Sequence, residues 1–181
     1  MSVIHSFEPW IGIEPRVLIL GSMPGVKSLQ AQCYYAHPRN AFWPIIDRLF
    51  GLDGPADCAE RRRRFETLPL ALWDVLQSCQ RPGSLDASIV ADSVRPNAIP
   101  RLLERHPSIG WLLFNGATAE RLFQRHLLAG LPQSRQLSLR RLPSTSPAYA
   151  GMGFDEKLSH WSAAFAEAGI NPEGCLSISK S

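Results

Sequence analysis

The chain has 181 residues, 45% of them apolar, with a net charge of +3 and a pI of about 8.8. That is the size of one ordinary domain with a sizeable core, which excludes a disordered chain, and no apolar run approaches the roughly 18 residues of a membrane span. The mildly basic balance permits a nucleic-acid partner without demanding one; 16 of the 19 cations are Arg, which suits phosphate but follows equally from an Arg-biased composition.

Residues 1–15, with Pro9, Trp10, Gly12 and Pro15, read as a lead-in that covers a sheet. Residues 17–20 (VLIL) are short, wholly apolar and flanked by turn residues, the pattern of a central buried strand. The turn GSMPG follows at 21–25, and then a crowded polar and aromatic stretch: Tyr34, Tyr35, His37, Arg39 and Asn40. From Asn40 the apolar spacing is helical (Phe42, Ile45, Ile46, Leu49, Phe50), with Pro44 in the first turn and Gly51 as the stop. Residues 56–67 read as an exposed helix, and its run Arg61–Arg64 points round the helix as a solvated face rather than along one side as a DNA contact.

Residues 68–76 (LPLALWDVL) read as a second strand with Trp73 and Asp74 near its end, followed by loop and partial helix over 77–97 and a short helix over 98–106. A third strand at 109–114 stops at Asn115-Gly116, and a helix over 117–128 turns Leu122, Phe123 and Leu127 inward. The alternation of Leu137 and Leu139 within 136–142 marks a fourth strand at or near a sheet edge. After the loop LPSTSPAYAGMG (142–153), Asp155 is placed as the N-cap of a helix carrying Leu158, Trp161 and Phe165, closed by Gly169; 170–181 reads as a loose tail.

Alternating strands and helices without repeat or linker give one domain over 1–181, with its core at about 16–169. The expected architecture is a three-layer α/β/α sandwich around a four-stranded parallel sheet. Parallel strands bring the GSMPG turn, the Trp73-Asp74 pair and the PSTSPA turn to one edge, where ligands bind in open α/β sheets. Cys33, Cys58, Cys79 and Cys175 form no C-x-x-C pair, and the five histidines are scattered. Free thiols in a reducing cytosol are therefore expected, with no metal and no secretory leader.

ILGSMPG, YYAHPRNAFW and LPSTSPAYA resemble the uracil-DNA glycosylase superfamily over about residues 17–165, and most of all its hypoxanthine-DNA (deoxyinosine) glycosylase branch. The mismatch-specific uracil glycosylases share a similar HP-x-N-x-FW segment. The resemblance implies a cofactor-free monomeric enzyme of base excision repair. It would act on double-stranded DNA carrying a deaminated base, with single strands left open as substrates. Many uracil glycosylases carry Asp or Asn in the first loop to position water; here Met23 stands there, and Ser144 stands where the second loop often carries His or Asn. In the hypoxanthine branch the Asn of HPRN is implicated in catalysis, and that role is carried to Asn40.

Cleaving a base from deoxyribose passes through an oxocarbenium-like sugar, so a neutral water aimed by an amide oxygen such as that of Asn40 suffices as nucleophile. Gly21, Ser22, Met23, Pro24, Tyr35, Trp73, Asp74 and Ser144 are the expected base-binding residues, with Tyr35 as stacking platform. Gly25, Lys27, Arg39, Thr145, Ser146, Pro147 and Tyr149 are expected to meet DNA, with Tyr149 or Met152 as the wedge that fills the vacated stack. Each has a plainer reading: Asn40 as a helix cap, His37 as a turn organiser, Tyr35 and Trp73 as core, Asn115 as a strand end, and 144–146 as a turn. The competing functions are a uracil or mismatch-specific glycosylase, a damaged-DNA binder with weak catalysis, and a nucleotide-binding module that reads GSMPG as a phosphate cradle.

Overall fold

The computed structural model describes residues 2–52, 54–131 and 135–171. Its strands are β1 (Val3–His5), β2 (Trp10–Ile11), β3 (Val17–Gly21), β4 (Leu70–Asp74), β5 (Leu76–Gln80), β6 (Arg95–Pro96), β7 (Trp111–Asn115) and β8 (Ser138–Leu142). The helices are α1 (Val26–Ala31), α2 (Phe42–Phe50), α3 (Cys58–Phe65), α4 (Ile99–Arg105), α5 (Ala117–His126) and α6 (Phe154–Glu167).

The main sheet runs β2-β4-β3-β7-β8. β4, β3, β7 and β8 are parallel, as expected, but β2 adds an antiparallel edge through Trp10↔Leu72 and Ile11↔Ala71, so the sheet is mixed and five-stranded. A second, antiparallel sheet, β1-β5-β6, lies outside the expected plan. β3 is central, and Val17, Leu18, Ile19 and Leu20 are fully buried because both of its faces are covered. Val17, Ile19, Leu70, Leu72 and Leu113 pack under α2 and α6, with Phe42, Ile45, Ile46, Trp161 and Phe165. The alternate residues Leu18, Leu20, Ala71, Leu112 and Phe114 pack under α4 and α5, with Ile99, Leu103 and Phe123. The strand period of two thus sorts one apolar run into two cores, giving three layers.

Residues 68–80 correct the sequence reading most. The apolar run expected as one strand is two, in different sheets, broken at Val75. There the Val75 N–H donates to Gly21 O at 2.8 Å and Val75 O accepts the Asn97 N–H at 2.9 Å. The stretch after it, expected as loop, begins as β5 and continues through short 3₁₀ turns at Asp86–Ser88 and Ala91–Ser93. Asp155 is not the N-cap of α6; Gly153 is, and Asp155 and Glu156 lie in the first turn, where they face the positive end of the helix dipole. Cys33 and Cys58 are not free thiols but a disulfide, with Cα atoms 5.8 Å apart, because the chain before α2 folds against the start of α3. Cys79 is free and buried. Most of the expected tail, 172–181, including Cys175, lies outside the described residues. Among the described residues no helix is long and apolar enough to cross a membrane.

Candidate active site

The carboxyl ends of β3, β4, β7 and β8 open on one cavity of about 740 Å³, within the range of small-molecule sites. Its walls come from five segments: the turn after β3, residues 34–40, the end of β4, residues 84–86 after β5, and the loop after β8 with the Asn115-Gly116 corner.

The first wall is the GSMPG turn. Gly21 pairs with Asp74 across β3 and β4. A Cβ on Gly21 would stand 2.5 Å from Asp74 Oδ1 and 2.9 Å from Tyr35 Oη, so only glycine lets these two groups meet there. The turn is held from outside. Arg81, its side chain fully buried, donates to the carbonyls of Met23, Pro24 and Gly83 and faces Asp86 at 3.6 Å. Ser22 Oγ donates to Asp86 Oδ2 at 2.6 Å, and Ser84 Oγ accepts the Val26 N–H at 2.9 Å.

The second wall is the aromatic segment. Tyr34 is core: its hydroxyl donates to Glu8 O at 3.1 Å. Tyr35 has a positive φ of 54°, a left-handed conformation uncommon for a side chain of its size. It stacks on Phe42 at 4.1 Å, and its hydroxyl lies buried without a formed hydrogen bond, beside Asp74 and Asn115. Burial and the Asp74 carboxyl push the Tyr35 phenol well above its ordinary range. His37 organises the turn, its Nδ1 accepting the Arg39 N–H at 3.1 Å. Asn40 Oδ1 accepts the Phe42 N–H at 2.9 Å, so the amide closes the turn that leads into α2 and also lines the cavity.

Asp74 ends the third wall. It is 3% exposed, accepts the Ser6 hydroxyl at 2.6 Å, and is pushed up to about 7, chiefly by burial and further by Asp86, against the opposing pull of Ser6 and Arg81. On the remaining side, Asn115 clamps the loop after β8: its Nδ2 donates to Thr145 Oγ1 at 2.8 Å and its Oδ1 accepts the Thr145 N–H at 2.9 Å. Gly116, at φ +97°, lets Ser144 approach, since a Cβ there would lie 3.0 Å from that of Ser144. Ser144 Oγ accepts the Ser146 N–H at 3.2 Å, and the Ala41 N–H donates to Thr145 O at 3.0 Å, joining the two loops.

Gly21, Ser22, Met23, Pro24, Gly25, Lys27, Tyr35, Asn40, Asp74, Ser144, Thr145, Ser146, Pro147 and Tyr149 all line this one cavity. Trp73 does not: its indole donates to Phe7 O at 2.9 Å, on the far side of β4 from Asp74. Arg39 is exposed and outside the lining. Thr145 is only 1% exposed, with its hydroxyl committed to Asn115, which leaves it a loop anchor rather than a surface for DNA. Tyr149 is 44% exposed, with Lys157 Nζ 5.3 Å from its ring centroid. Sequence reasoning missed Arg81, Ser84 and Asp86; the RPGS turn signal marked their segment but not its packing against GSMPG. Among the described residues no cluster of three or more His, Cys, Asp or Glu side chains is arranged to hold a metal ion.

The model of the uracil DNA glycosylase superfamily matches residues 9–168. A hypoxanthine DNA glycosylase of Methanosarcina acetivorans is 32% identical over 153 residues, 83% of this chain and 90% of the relative. Another, of Methanosarcina barkeri, is 34% identical over 115 residues, 62% of this chain and 70% of the relative. The solution NMR structure of a candidate uracil DNA glycosylase from Methanosarcina acetivorans superposes with a TM-score of 0.73 at 28% identity, covering 93% of this chain and 99% of that one. A match across nearly the whole described fold, with the cavity walls inside it, places the chain in the uracil DNA glycosylase superfamily.

Proposed function

We propose that this protein is a DNA glycosylase that hydrolyses the N-glycosidic bond of a deaminated base, hypoxanthine by preference, in a nucleotide turned out of the duplex. One observation carries the reading: Asn40, Tyr35, Asp74 and Ser144 face a single cavity at the carboxyl ends of parallel strands. The Asn40 amide is held by the Phe42 N–H, which leaves Oδ1 a second lone pair to accept from water and aim it. Held water attacks a sugar that already carries cationic character, so positioning rather than strong basicity is the requirement.

Tyr35 has one ring face against Phe42, so a flipped base meets its other face or its edge. Ser144 accepts from the Ser146 N–H and keeps its own proton to donate, which suits the carbonyl oxygen of hypoxanthine or charge growing on the leaving base. A backbone N–H of the GSMPG turn aimed at that carbonyl oxygen would meet the amino group of adenine head-on, and an unpaired buried donor costs about 1–3 kcal/mol. Unstacking costs a few kcal/mol, which a Tyr35 contact offsets in part.

The test is base release from oligonucleotides carrying inosine, uracil or xanthine, in double and single strands. Hypoxanthine is expected to leave fastest. Asn40→Ala should lower the single-turnover rate roughly a hundredfold with DNA affinity kept, and Tyr35→Ala should mainly weaken engagement of the damaged nucleotide. No release from any substrate, with Asn40→Ala indistinguishable from wild type, refutes the reading.

A further inference from the structure

We infer that Asp86, supplied by the loop after β5, is the carboxylate that faces the reacting sugar across the cavity from Asn40; the inference rests on the glycosylase reading above. Asp86 lines the same cavity as Asn40, Tyr35 and Ser144, and its side chain is 31% exposed. It is built in rather than pendant. Oδ2 accepts the Ser22 hydroxyl at 2.6 Å, and Oδ1 faces Arg81, whose own side chain is fully buried and tied to the carbonyls of Met23 and Pro24. The carboxylate therefore moves with the GSMPG turn although it lies 64 residues from Ser22 in the chain.

Its charge balances the buried Arg81, and the exposed part of the carboxylate still reaches the cavity. A pocket that receives a phosphodiester gains nothing in affinity from a negative group at its wall. The same charge is useful where a glycosidic bond breaks, because the sugar becomes cationic while the phosphates do not change. Asp74 does not fill this place: it is 3% exposed and bound to Ser6. Burial raises the Asp86 carboxyl above its ordinary range, and the Ser22 hydroxyl, Arg81 and Arg121 pull it back toward the ionised form. Asp74, Tyr35 and Cys79 are the other titratable groups that sense it.

In the step inferred, the bond from C1′ to the base nitrogen breaks and its electron pair leaves on the base. The oxygen of the water aimed by Asn40 bonds to C1′. Asp86 acts by charge alone, facing the cationic sugar; the added water loses one proton to solvent and the departing base takes up a proton from solvent. Nothing is oxidised or reduced.

Asp86→Asn keeps an acceptor for Ser22 and removes only the charge. Single-turnover release of hypoxanthine should fall roughly a hundredfold, while affinity for inosine DNA stays level or tightens; the melting temperature falls somewhat, because the buried Arg81 loses its carboxylate. Asp86→Glu should recover part of the rate. If Asp86→Asn fails to fold, Ser22→Ala, which leaves the carboxylate on Arg81 but unaims it, must lower the rate without lowering affinity. A wild-type rate in Asp86→Asn overturns the assignment and leaves the glycosylase reading standing. So does a loss of rate matched by an equal loss of affinity, which marks Asp86 as a loop anchor alone. If the wild-type protein releases no base, both fall.

Discussion

Asp74 and Gly21 sit opposite each other at the ends of β4 and β3, and the environment of each can be measured. The Asp74 carboxyl is raised from 3.8 to about 7 in the fold, mainly by burial. Between those values the unfolded chain has released this proton and the folded chain has not, so stability falls as pH rises through the window. Thermal melts across pH 4–8 should show wild type losing stability toward neutrality more steeply than Asp74→Asn, which has no proton to lose there. Parallel curves would mean that the carboxylate is ionised in the fold. Gly21→Ala puts a methyl 2.5 Å from Asp74 Oδ1 and 2.9 Å from Tyr35 Oη. Asp74 and the Tyr35 hydroxyl are buried and Asp74 is held by Ser6, so a loss of about 1–3 kcal/mol in denaturant titration is expected, together with reduced base release.

Among the elements, the segment from Arg81 to Asp86 and helix α3 make opposite cases of cationic side chains. Arg81 is fully buried and serves three carbonyls and a carboxylate. Arg81→Met strands those acceptors and leaves Asp86 without its partner, so about 3 kcal/mol or more should be lost in urea unfolding, and the GSMPG turn should become accessible to protease. In α3 the four arginines, expected as a solvated face, make local partners: the exposed Arg62 and Arg63 pair with Glu66 and Glu60, and the half-buried Arg64 and Arg61 meet Glu60 and, at 5.1 Å, the Trp43 ring. The exposed pairs of Arg62 and Arg63 contribute little. Arg62→Ala with Arg63→Ala should change stability by under about 1 kcal/mol and leave the salt dependence of DNA binding where it was. A shallower salt slope would place α3 on the DNA.

At the scale of the whole molecule, the disulfide links residues 25 apart and fastens the segment that carries Tyr34, Tyr35 and Asn40 to the start of α3. Closing a loop of that length restricts the unfolded chain by about 3 kcal/mol. Cys33→Ser, or wild type in excess reductant, should therefore melt lower, and oxidised wild type should be restored on removing the reductant. Equal melting curves with and without reductant would show that the bridge contributes nothing to the fold.

Much of this architecture was legible one residue at a time. The VLIL run, stopped by Gly21, marked the buried central strand because a strand covered on both faces has no polar positions. The spacing from Phe42 to Phe50 marked α2, and Gly51 takes the left-handed cap expected of it. The loops that line the cavity were readable from their chemistry, since turns need Gly and Pro and sites need polar groups at strand ends. The break at Val75 was not readable, because an apolar run carries no sign of the point where a chain leaves one sheet for another. Nor were Cys33 with Cys58, Ser6 with Asp74, or Ser22 with Asp86. Local sequence determines backbone preference and which face of an element is apolar, through sterics and periodicity over a few residues. Which distant segments share a wall is decided only when both cores close on the sheet, because those contacts gain their energy from burial that no single segment achieves alone.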